Sequence, residues 1–387
     1  MGECSGAMTP GQAPSRQRKA PVYGLDVVRL LAAVLVVVYH LGFKAWAIEG
    51  SSLNEVLGAS TADPPGWRLT WCGWIGVQVF FVVSGAVIAY SARGASARGF
   101  ARRRVARLLP ALLIAALLAL PVAISAFGMA PAKAVWLALK TVTFMPWGPW
   151  IIGQFWTIPI ELCFYALVCV LLASGRSAQG MRGLVWGLGC VSCGYWLAVA
   201  GGLLEPGGRL TELLLLQHGV YFAIGMVCAR LGSGELGPRH LALAIACVAA
   251  AAIQVREAAV WEMAGRSDLA VKWLLPYAIW LAATALVALS FLYRDAIAAR
   301  VEVLSGALRL AGLSTYPLYL VHIHVGGAIL LAAAPLGILP ALLAAFAGSL
   351  LASLAIAAWL EPPLHGIVRS VLGKVGRSAL ALPGLRA

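Results

Sequence analysis

The chain has 387 residues, of which 61% are hydrophobic and 11% are charged, and its formal net charge is +14. Soluble domains carry about 25% charged residues, so this composition excludes an ordinary soluble protein and indicates a polytopic membrane protein. The positive charge raises the question of nucleic-acid binding. However, the basic residues cluster between apolar runs, as the positive-inside rule describes for membrane proteins. We therefore predict membrane lipid as the surroundings and no nucleic-acid partner.

Ten apolar runs are long enough to cross a bilayer. They lie at about 24–45, 72–91, 108–128, 159–174, 182–201, 211–231, 238–256, 272–293, 310–333 and 337–360. The segment 133–150 is marginal and is predicted to be re-entrant or interfacial. The predicted fold is an all-α membrane protein with about ten transmembrane helices.

Charge distribution predicts the orientation of these spans. With the N-terminus inside, the inner segments hold 20 Lys and Arg residues and the outer segments hold 8. This asymmetry favours cytoplasmic N- and C-termini and a location in the bacterial inner membrane. We expect a disordered cytoplasmic tail at 1–22, a membrane domain at 23–365 and a basic cytoplasmic tail at 366–387.

The first apolar run carries an acid, a base and an imidazole, at Asp26, Arg29 and His40. An ionised group at membrane depth costs about 2.5–3.5 kcal/mol on insertion scales, and such residues usually face a pore or a partner. Asp26 is three residues before Arg29 and can pair with it. Arg29 and His40 are about three helical turns apart, roughly 16 Å along one face. This pattern predicts a functional stripe that lines an internal cavity.

Two later motifs each admit a structural and a functional interpretation. Ser84 and Gly85 lie in the middle of the second span, where small residues favour close helix packing, and packing is the preferred interpretation of this pair alone. Arg104 and Arg107 share a helix face at the start of the third span. They suit either anchoring to lipid headgroups or binding of phosphate groups, and the sequence leaves both possibilities open.

Glu161 and the histidines of the ninth span are further candidates. A carboxylate near a helix start is stabilised by the helix dipole, but Glu161 lies among apolar residues and needs a partner, so we favour a functional role. His322 shares a face with Tyr319, whereas His324 points elsewhere and is predicted to be satisfied by a neighbouring helix. His218 can likewise be a packing residue. No cluster of His and Cys has metal-ligand spacing, so no metal is predicted.

Together these blocks resemble the acyltransferase 3 family of integral membrane acyltransferases, over roughly residues 23–365. Six motifs follow in the family's order: Arg29-x10-His40, Gly76 to Ser84-Gly85, Arg104-x-x-Arg107-Leu-x-Pro110, Trp156-Thr-Ile-Pro-Ile-Glu161-x-x-Phe-Tyr165, Ser314 to Tyr319 and His322, and Glu361-x-Pro363. Val27-Val28, Thr157 and Thr315 depart from the usual pattern without removing an ionisable position. The chain is similar to the stand-alone form without a C-terminal SGNH domain.

The resemblance implies acyl transfer from a cytoplasmic acyl-CoA, acetyl-CoA or another, to a hydroxyl group, usually of a sugar. In this reaction Arg104 and Arg107 are expected to hold the donor phosphates, and Arg29 to stabilise negative charge or orient the donor. The implied catalytic residues are His40, Arg29, Glu161 and His322, with His40 acting as a base or carrying the acyl group, and Glu161 orienting a histidine or binding the acceptor. Asp26, Ser84, Gly85, Trp156, Tyr165 and Tyr319 are predicted to be structural or pore-lining.

The predicted function is therefore O-acylation, most simply O-acetylation, of a cell-surface or exported polysaccharide or its lipid-linked precursor. Acylation of a glycosylated secondary metabolite, such as a macrolide sugar, is an alternative. A proton-coupled transporter or flippase is an alternative of another class, since an intramembrane Arg and His suit such a carrier. Acceptor choice is predicted to depend on the outer segments 46–71 and 254–272. The sequence leaves the oligomeric state open.

Overall fold

The computed structural model describes residues 21–58, 64, 66–175 and 177–378, and all regular secondary structure within these residues is helical. Nine helices of the described chain are long and apolar enough to cross a membrane. In chain order, with two shorter helices included, the main helices are α1 (Tyr23–Ala47), α2 (Trp67–Ala92), α3 (Ala97–Ser125), α4 (Pro131–Val142), α5 (Gly153–Ala173), α6 (Gln179–Ala200), α7 (Gly219–Leu231), α8 (Pro238–Glu262), α9 (Leu274–Leu292), α10 (Ser305–Leu336) and α11 (Ile338–Gly373). The predicted all-α membrane fold is confirmed.

The two shorter helices, α4 and α7, compare differently with the hydropathy pattern. Helix α7 has 13 residues, about 20 Å, where the sequence predicted a span at 211–231. Nearly all of its residues are buried, because neighbouring helices surround it and little of it has to face lipid. Helix α4 has 12 residues and is too short to cross a membrane, and it overlaps the segment 133–150 that was predicted to be re-entrant or interfacial.

The helices alternate in direction, so contacts group at two ends of the bundle. At the N-terminal end, where α1 starts, Gly24 contacts Ser290 and Arg93 contacts Glu235. At the opposite end, Lys44 contacts Glu262. Which end faces the cytoplasm is still a prediction from the positive-inside rule.

The predicted terminal tails are only partly within the described chain. Residues 1–20 and 379–387 lie outside the described residues. Helical structure continues from Glu361 to Ser378 and so extends into the predicted C-terminal tail at 366–387.

The crossing of α2 and α7 is the tightest helix contact near the bundle centre. A Cβ atom on Gly85 would overlap the backbone of Phe222, and one on Gly225 would overlap the carbonyl oxygen of Val82. Paired glycines let two backbones approach closely in a membrane bundle. Gly85 is therefore a packing residue, as predicted from the motif.

We expect Gly225→Ala to lower the Tm of the detergent-solubilised protein, because overpacking at a closed contact costs about 1–3 kcal/mol. Gly194→Ala is the matched control. A Cβ atom at Gly194 meets nothing within 4 Å, so the better helix propensity of alanine should leave the Tm unchanged or raise it. Equal effects of the two substitutions would show that the α2–α7 contact is not close.

Candidate active site

A central cavity lies between α1, α2, α3, α5 and α10, with an empty volume of about 780 Å³ that includes its opening. Four charged residues of the predicted motifs line it: Arg29, Arg104, Arg107 and Glu161. Ser84, Tyr165 and Tyr319, which were also predicted from the sequence, line the same cavity. The fold thus brings residues from five helices around one space. With one carboxylate against three guanidinium groups, the cavity favours an anionic ligand.

The cavity continues toward the N-terminal end of the bundle. Arg29 is paired with Asp26 at 3.4 Å, as the spacing predicts. Arg29, Arg107 and Asp26 also line a second opening, together with Arg309 at the start of α10. Sequence reasoning missed Arg309, because its position just before a span gave it an ordinary role in membrane orientation.

Glu161 lies in the cavity rather than beside a histidine. It accepts a hydrogen bond from the hydroxyl of Ser84, and it is also hydrogen-bonded to the phenol of Tyr165, one helical turn further along α5. The prediction that Glu161 needs a polar partner is confirmed, but its described partners do not include a histidine. Ser84 and Gly85 therefore have different roles: Ser84 faces the cavity, and Gly85 packs against α7.

The two arginines of α3 differ in how they are held. Arg104 donates from Nη2 to the Ser91 hydroxyl at 2.6 Å, and its guanidinium lies over the rings of Phe100 and Tyr165, at 5.1 and 5.5 Å from their centroids. Arg107 has no hydrogen bond or ion pair among the described residues, although it lines both the cavity and the second opening. Its guanidinium is therefore available to a ligand.

His40 and His322 form a pair near the opposite end of the cavity. Each histidine is the first residue of a π-helical turn, at His40–Lys44 in α1 and at His322–Gly326 in α10. Such turns widen a helix locally and are frequent at functional sites. The Nε2 atom of His322 lies 3.3 Å from the Nδ1 atom of His40. Sequence reasoning named both residues but gave no indication that they touch.

The contacts of the pair select one tautomer for neutral rings. Nδ1 of His40 lies 2.9 Å from the carbonyl oxygen of Val36, and Nδ1 of His322 lies 3.1 Å from that of Leu318. Both Nδ1 atoms must therefore carry the hydrogen, because a carbonyl only accepts. His322 Nε2 then accepts from His40 Nδ1–H. In this assignment Nε2 of His40 carries no hydrogen, and none of these contacts uses its lone pair. It is therefore the basic nitrogen of the pair that remains available.

The other two buried histidines take no part in this pair. The ring of His324 stacks on Phe127 at 5.4 Å, which agrees with the prediction that it points away from His322. Its Nδ1 atom has no hydrogen-bond partner among the described residues, and Phe127 lies just after the end of α3, so the prediction that a neighbouring helix satisfies His324 is wrong. His218 packs against Phe81 and Trp156, as predicted, and its two nitrogens also lack partners there.

Arg29 and His40 do not line the same cavity, which corrects the sequence prediction. Arg29 is part of the cavity wall, whereas His40 is not. Tyr319 lies between the two regions, since its ring lines the cavity and is 6.2 Å from the ring of His322. The ring of Phe80 packs edge-on against Tyr319 at 5.8 Å. A ligand in the cavity therefore reaches the histidine pair only past Phe80 and Tyr319.

Gln154 fixes this boundary and was missed from the sequence. Its side-chain amide donates to the carbonyl oxygens of Tyr319 (3.0 Å) and Leu320 (2.9 Å), just before the π-helical turn of α10. The Tyr319 hydroxyl donates back to the Gln154 carbonyl at 2.8 Å and lies 3.0 Å from the hydroxyl of Thr157. A glutamine two residues before Trp156 in an apolar segment was the available signal.

We expect Gln154→Leu to reduce stability by about 1–3 kcal/mol, because it leaves buried carbonyl groups without a donor. The decrease should be visible as a lower Tm in detergent. Gln179→Leu is the control, since Gln179 is exposed at the start of α6. A Tm that is equally unaffected by both substitutions would contradict the role of Gln154.

Comparison with known protein families identifies the family of the chain. The family model described as an acyltransferase domain, acyltransferase 3, matches residues 22–360. The chain belongs to the acyltransferase 3 family. No curated protein matches the chain. No solved structure matches it either.

This acyltransferase gathers most of its family motifs around the cavity and the histidine pair. Other motif residues, among them Trp156 and Glu361, lie elsewhere. Trp156 packs against His218 at 6.0 Å rather than facing the cavity, and Glu361 contacts His365 at 3.1 Å. Among the described residues, no group of three or more His, Cys, Asp and Glu is placed to hold a metal ion.

The opposite end of the acyltransferase carries a polar cluster next to His40. Glu262 accepts hydrogen bonds from Tyr39 at 2.7 Å and from Lys44 at 3.0 Å. The ring of Tyr39 is 5.1 Å from that of His40. Of this cluster, Glu262 lies in the outer segment 254–272 that was predicted to choose the acceptor, whereas Tyr39 and Lys44 precede the outer segment 46–71.

A loop at the same end adds aromatic and charged groups. The guanidinium of Arg266 lies 5.5 Å from the ring centre of Trp67 and contacts Asp268 at 3.1 Å. The hydrogen bond from Arg266 lowers the pKa of the Asp268 carboxyl below its usual value. Of the outer segment 46–71, residues 59–63 and 65 lie outside the described residues.

Proposed function

We propose that this membrane acyltransferase transfers an acyl group, most simply acetyl, from cytoplasmic acyl-CoA to a sugar hydroxyl. The acceptor is a cell-surface or exported polysaccharide, or its lipid-linked precursor. The observation that carries the proposal is a cavity lined by arginines that leads from the N-terminal end of the bundle toward paired histidines.

The donor would enter at the N-terminal end. Arg107 and Arg309 line the opening there, and guanidinium groups bind phosphates through two parallel hydrogen bonds. The thin pantetheine arm would then follow the cavity between the apolar side chains of Phe80 and Leu108. This path would bring the thioester to Tyr319, next to the histidine pair.

His40 would act on the acceptor hydroxyl. Nε2 of His40 removes the hydroxyl proton while the oxygen attacks the thioester carbonyl carbon. The C–S bond then breaks, and the CoA thiolate takes the proton from the imidazolium. An acyl group carried transiently by His40 would use the same nitrogen. In both routes the Val36 carbonyl and Nε2 of His322 would share the hydrogen on Nδ1 of His40 and so hold the tautomer.

The acceptor would approach from the opposite end, where Glu262 and Lys44 lie beside Tyr39 and His40. A carboxylate and an ammonium group can hydrogen-bond to sugar hydroxyls, and the nearby ring of Trp67 offers a flat face for stacking. The two substrates would thus reach His40 from opposite sides of the membrane.

The test uses membranes that contain the protein, acetyl-labelled acetyl-CoA and host glycan. We expect label in the glycan with the wild type and none in membranes from a strain without the gene. Label in neither sample, with acetyl, propionyl and longer acyl-CoA donors all tried, would contradict the proposal. Transport of glycan without acylation would favour the carrier alternative.

A further inference from the structure

A second basic cavity lies at the N-terminal end, on the other side of α2 from the central cavity. It is formed by the end of α2, the start of α6, the end of α7 and Glu235, and its empty volume is about 880 Å³ including its opening. Arg93, Arg182 and Arg230 line it, one from each helix or its end. We call this space the lateral pocket. It shares no lining residue with the central cavity.

The lateral pocket is electropositive. Glu235 is its single carboxylate, and it lies 3.4 Å from Arg93 and 3.7 Å from Arg230. The residue is more than half exposed, so solvent weakens its attraction for the guanidinium groups. Arg182 has no ion pair among the described residues and lies close enough for its charge to act on Arg230. Three positive charges thus face one partly exposed negative charge.

The excess of positive charge is energetically unfavourable because part of it is buried. Arg230 is only 9% exposed, although it carries a full charge at the end of a buried helix. A buried charge needs compensation by a counter-charge and hydrogen bonds. The remaining walls of the lateral pocket are apolar and include Met181, Val185 and Met226. The lateral pocket therefore suits a ligand that has a negatively charged group next to an apolar part.

We propose that the lateral pocket binds a phosphate group, carried by an anionic lipid or by a soluble phosphate compound. The ligand displaces the side chain of Glu235, and its oxygens accept hydrogen bonds from Arg93, Arg182 and Arg230. Arginine binds phosphate in a fixed two-bond geometry, and converging guanidinium groups are typical of such sites. The site is independent of the acyl-donor path.

The first experiment measures the Tm of the purified protein in detergent against inorganic phosphate at constant ionic strength, with chloride as the replaced anion. All variants carry Arg107→Gln, so that the central cavity contributes little. We expect phosphate to raise the Tm, and Arg182→Gln and Arg230→Gln each to raise the half-saturating phosphate concentration about tenfold. Arg294→Gln is the control, because Arg294 pairs with Asp295 at 3.0 Å, away from the pocket.

The variant Glu235→Gln distinguishes an effect on phosphate binding from an effect on protein stability. This substitution removes the competing carboxylate, so we expect phosphate to bind several-fold more tightly, whereas a purely structural acid would only lower the Tm. An unchanged or weaker response to phosphate in this variant would overturn the proposal. A phosphate response that is the same in Arg182→Gln as in its parent would also overturn it.

The source of the phosphate is determined with lipid bilayers. Nanodiscs of phosphatidylcholine are compared with nanodiscs that also contain phosphatidylglycerol. Stabilisation by phosphatidylglycerol that Arg182→Gln abolishes and that exceeds the effect of saturating free phosphate assigns a lipid phosphate. Arginine-dependent stabilisation by free phosphate to which phosphatidylglycerol adds nothing assigns a soluble ligand. No arginine-dependent effect in either arm would overturn the proposal.

Discussion

His40→Ala is expected to lower the kcat for acyl transfer by about 100- to 10,000-fold, the range that a general base contributes. The reason is that Nε2 of His40 is the basic nitrogen that the contacts of the pair leave unused. The Tm should change little, because the hydrogen-bonding contacts of this side chain are one backbone oxygen and one imidazole. The measurement is the rate of label transfer from acetyl-CoA with purified protein in detergent.

His324→Ala is the matched control for His40→Ala. His324 lies in the same π-helical turn as His322 but stacks on Phe127, away from the pair. We expect it to keep most of the wild-type rate. His322→Ala should fall between the two, because it removes one of the two acceptors of His40 Nδ1–H and leaves the Val36 carbonyl as the other. Equal rates for His40→Ala and the wild type would move the chemistry away from His40.

Arg107→Gln is expected to raise the KM for acetyl-CoA at least about tenfold, because a charge-assisted hydrogen bond to phosphate contributes about 1.5–3 kcal/mol. Arg107 faces both the cavity and its opening without a partner of its own among the described residues. The same variant should use S-acetylpantetheine, which lacks phosphates, as well as the wild type does. Kinetics with both donors measure this difference.

Arg98→Gln is the control for Arg107→Gln. Arg98 lies in the same helix but is exposed. It should leave both donors unaffected. A loss of activity with S-acetylpantetheine that equals the loss with acetyl-CoA would show that Arg107 acts on the fold or on the reacting atoms, not on the phosphates.

The sequence predicts the helices well because hydropathy reports directly on membrane burial. Helix α7 is the exception, since a span enclosed by other helices needs neither full length nor contact with lipid. The pairing of Asp26 with Arg29 follows from helix spacing alone. Local periodicity therefore predicts contacts within one helix.

Contacts between helices were not predictable in the same way. Ser84 and Glu161 touch although 77 residues separate them, and His40 and His322 touch across 282 residues. Helix spacing carries no information about such pairs. The π-helical turns at both histidines also left no clear signal, because Gly42 and Gly326 within them are ordinary residues of a membrane helix. The prediction that Arg29 and His40 line one cavity was wrong because it rested on spacing within one helix, which does not report contacts between helices.

The most direct test of the proposed path is the sidedness of acyl transfer in sealed vesicles. Labelled acetyl-CoA is added outside inside-out and right-side-out vesicles that contain equal amounts of protein and glycan acceptor, and detergent-opened vesicles of both kinds serve as controls. We expect labelling only in inside-out vesicles, where the arginine-lined opening faces the added donor. Equal labelling of intact right-side-out vesicles would contradict entry of the donor from the cytoplasm.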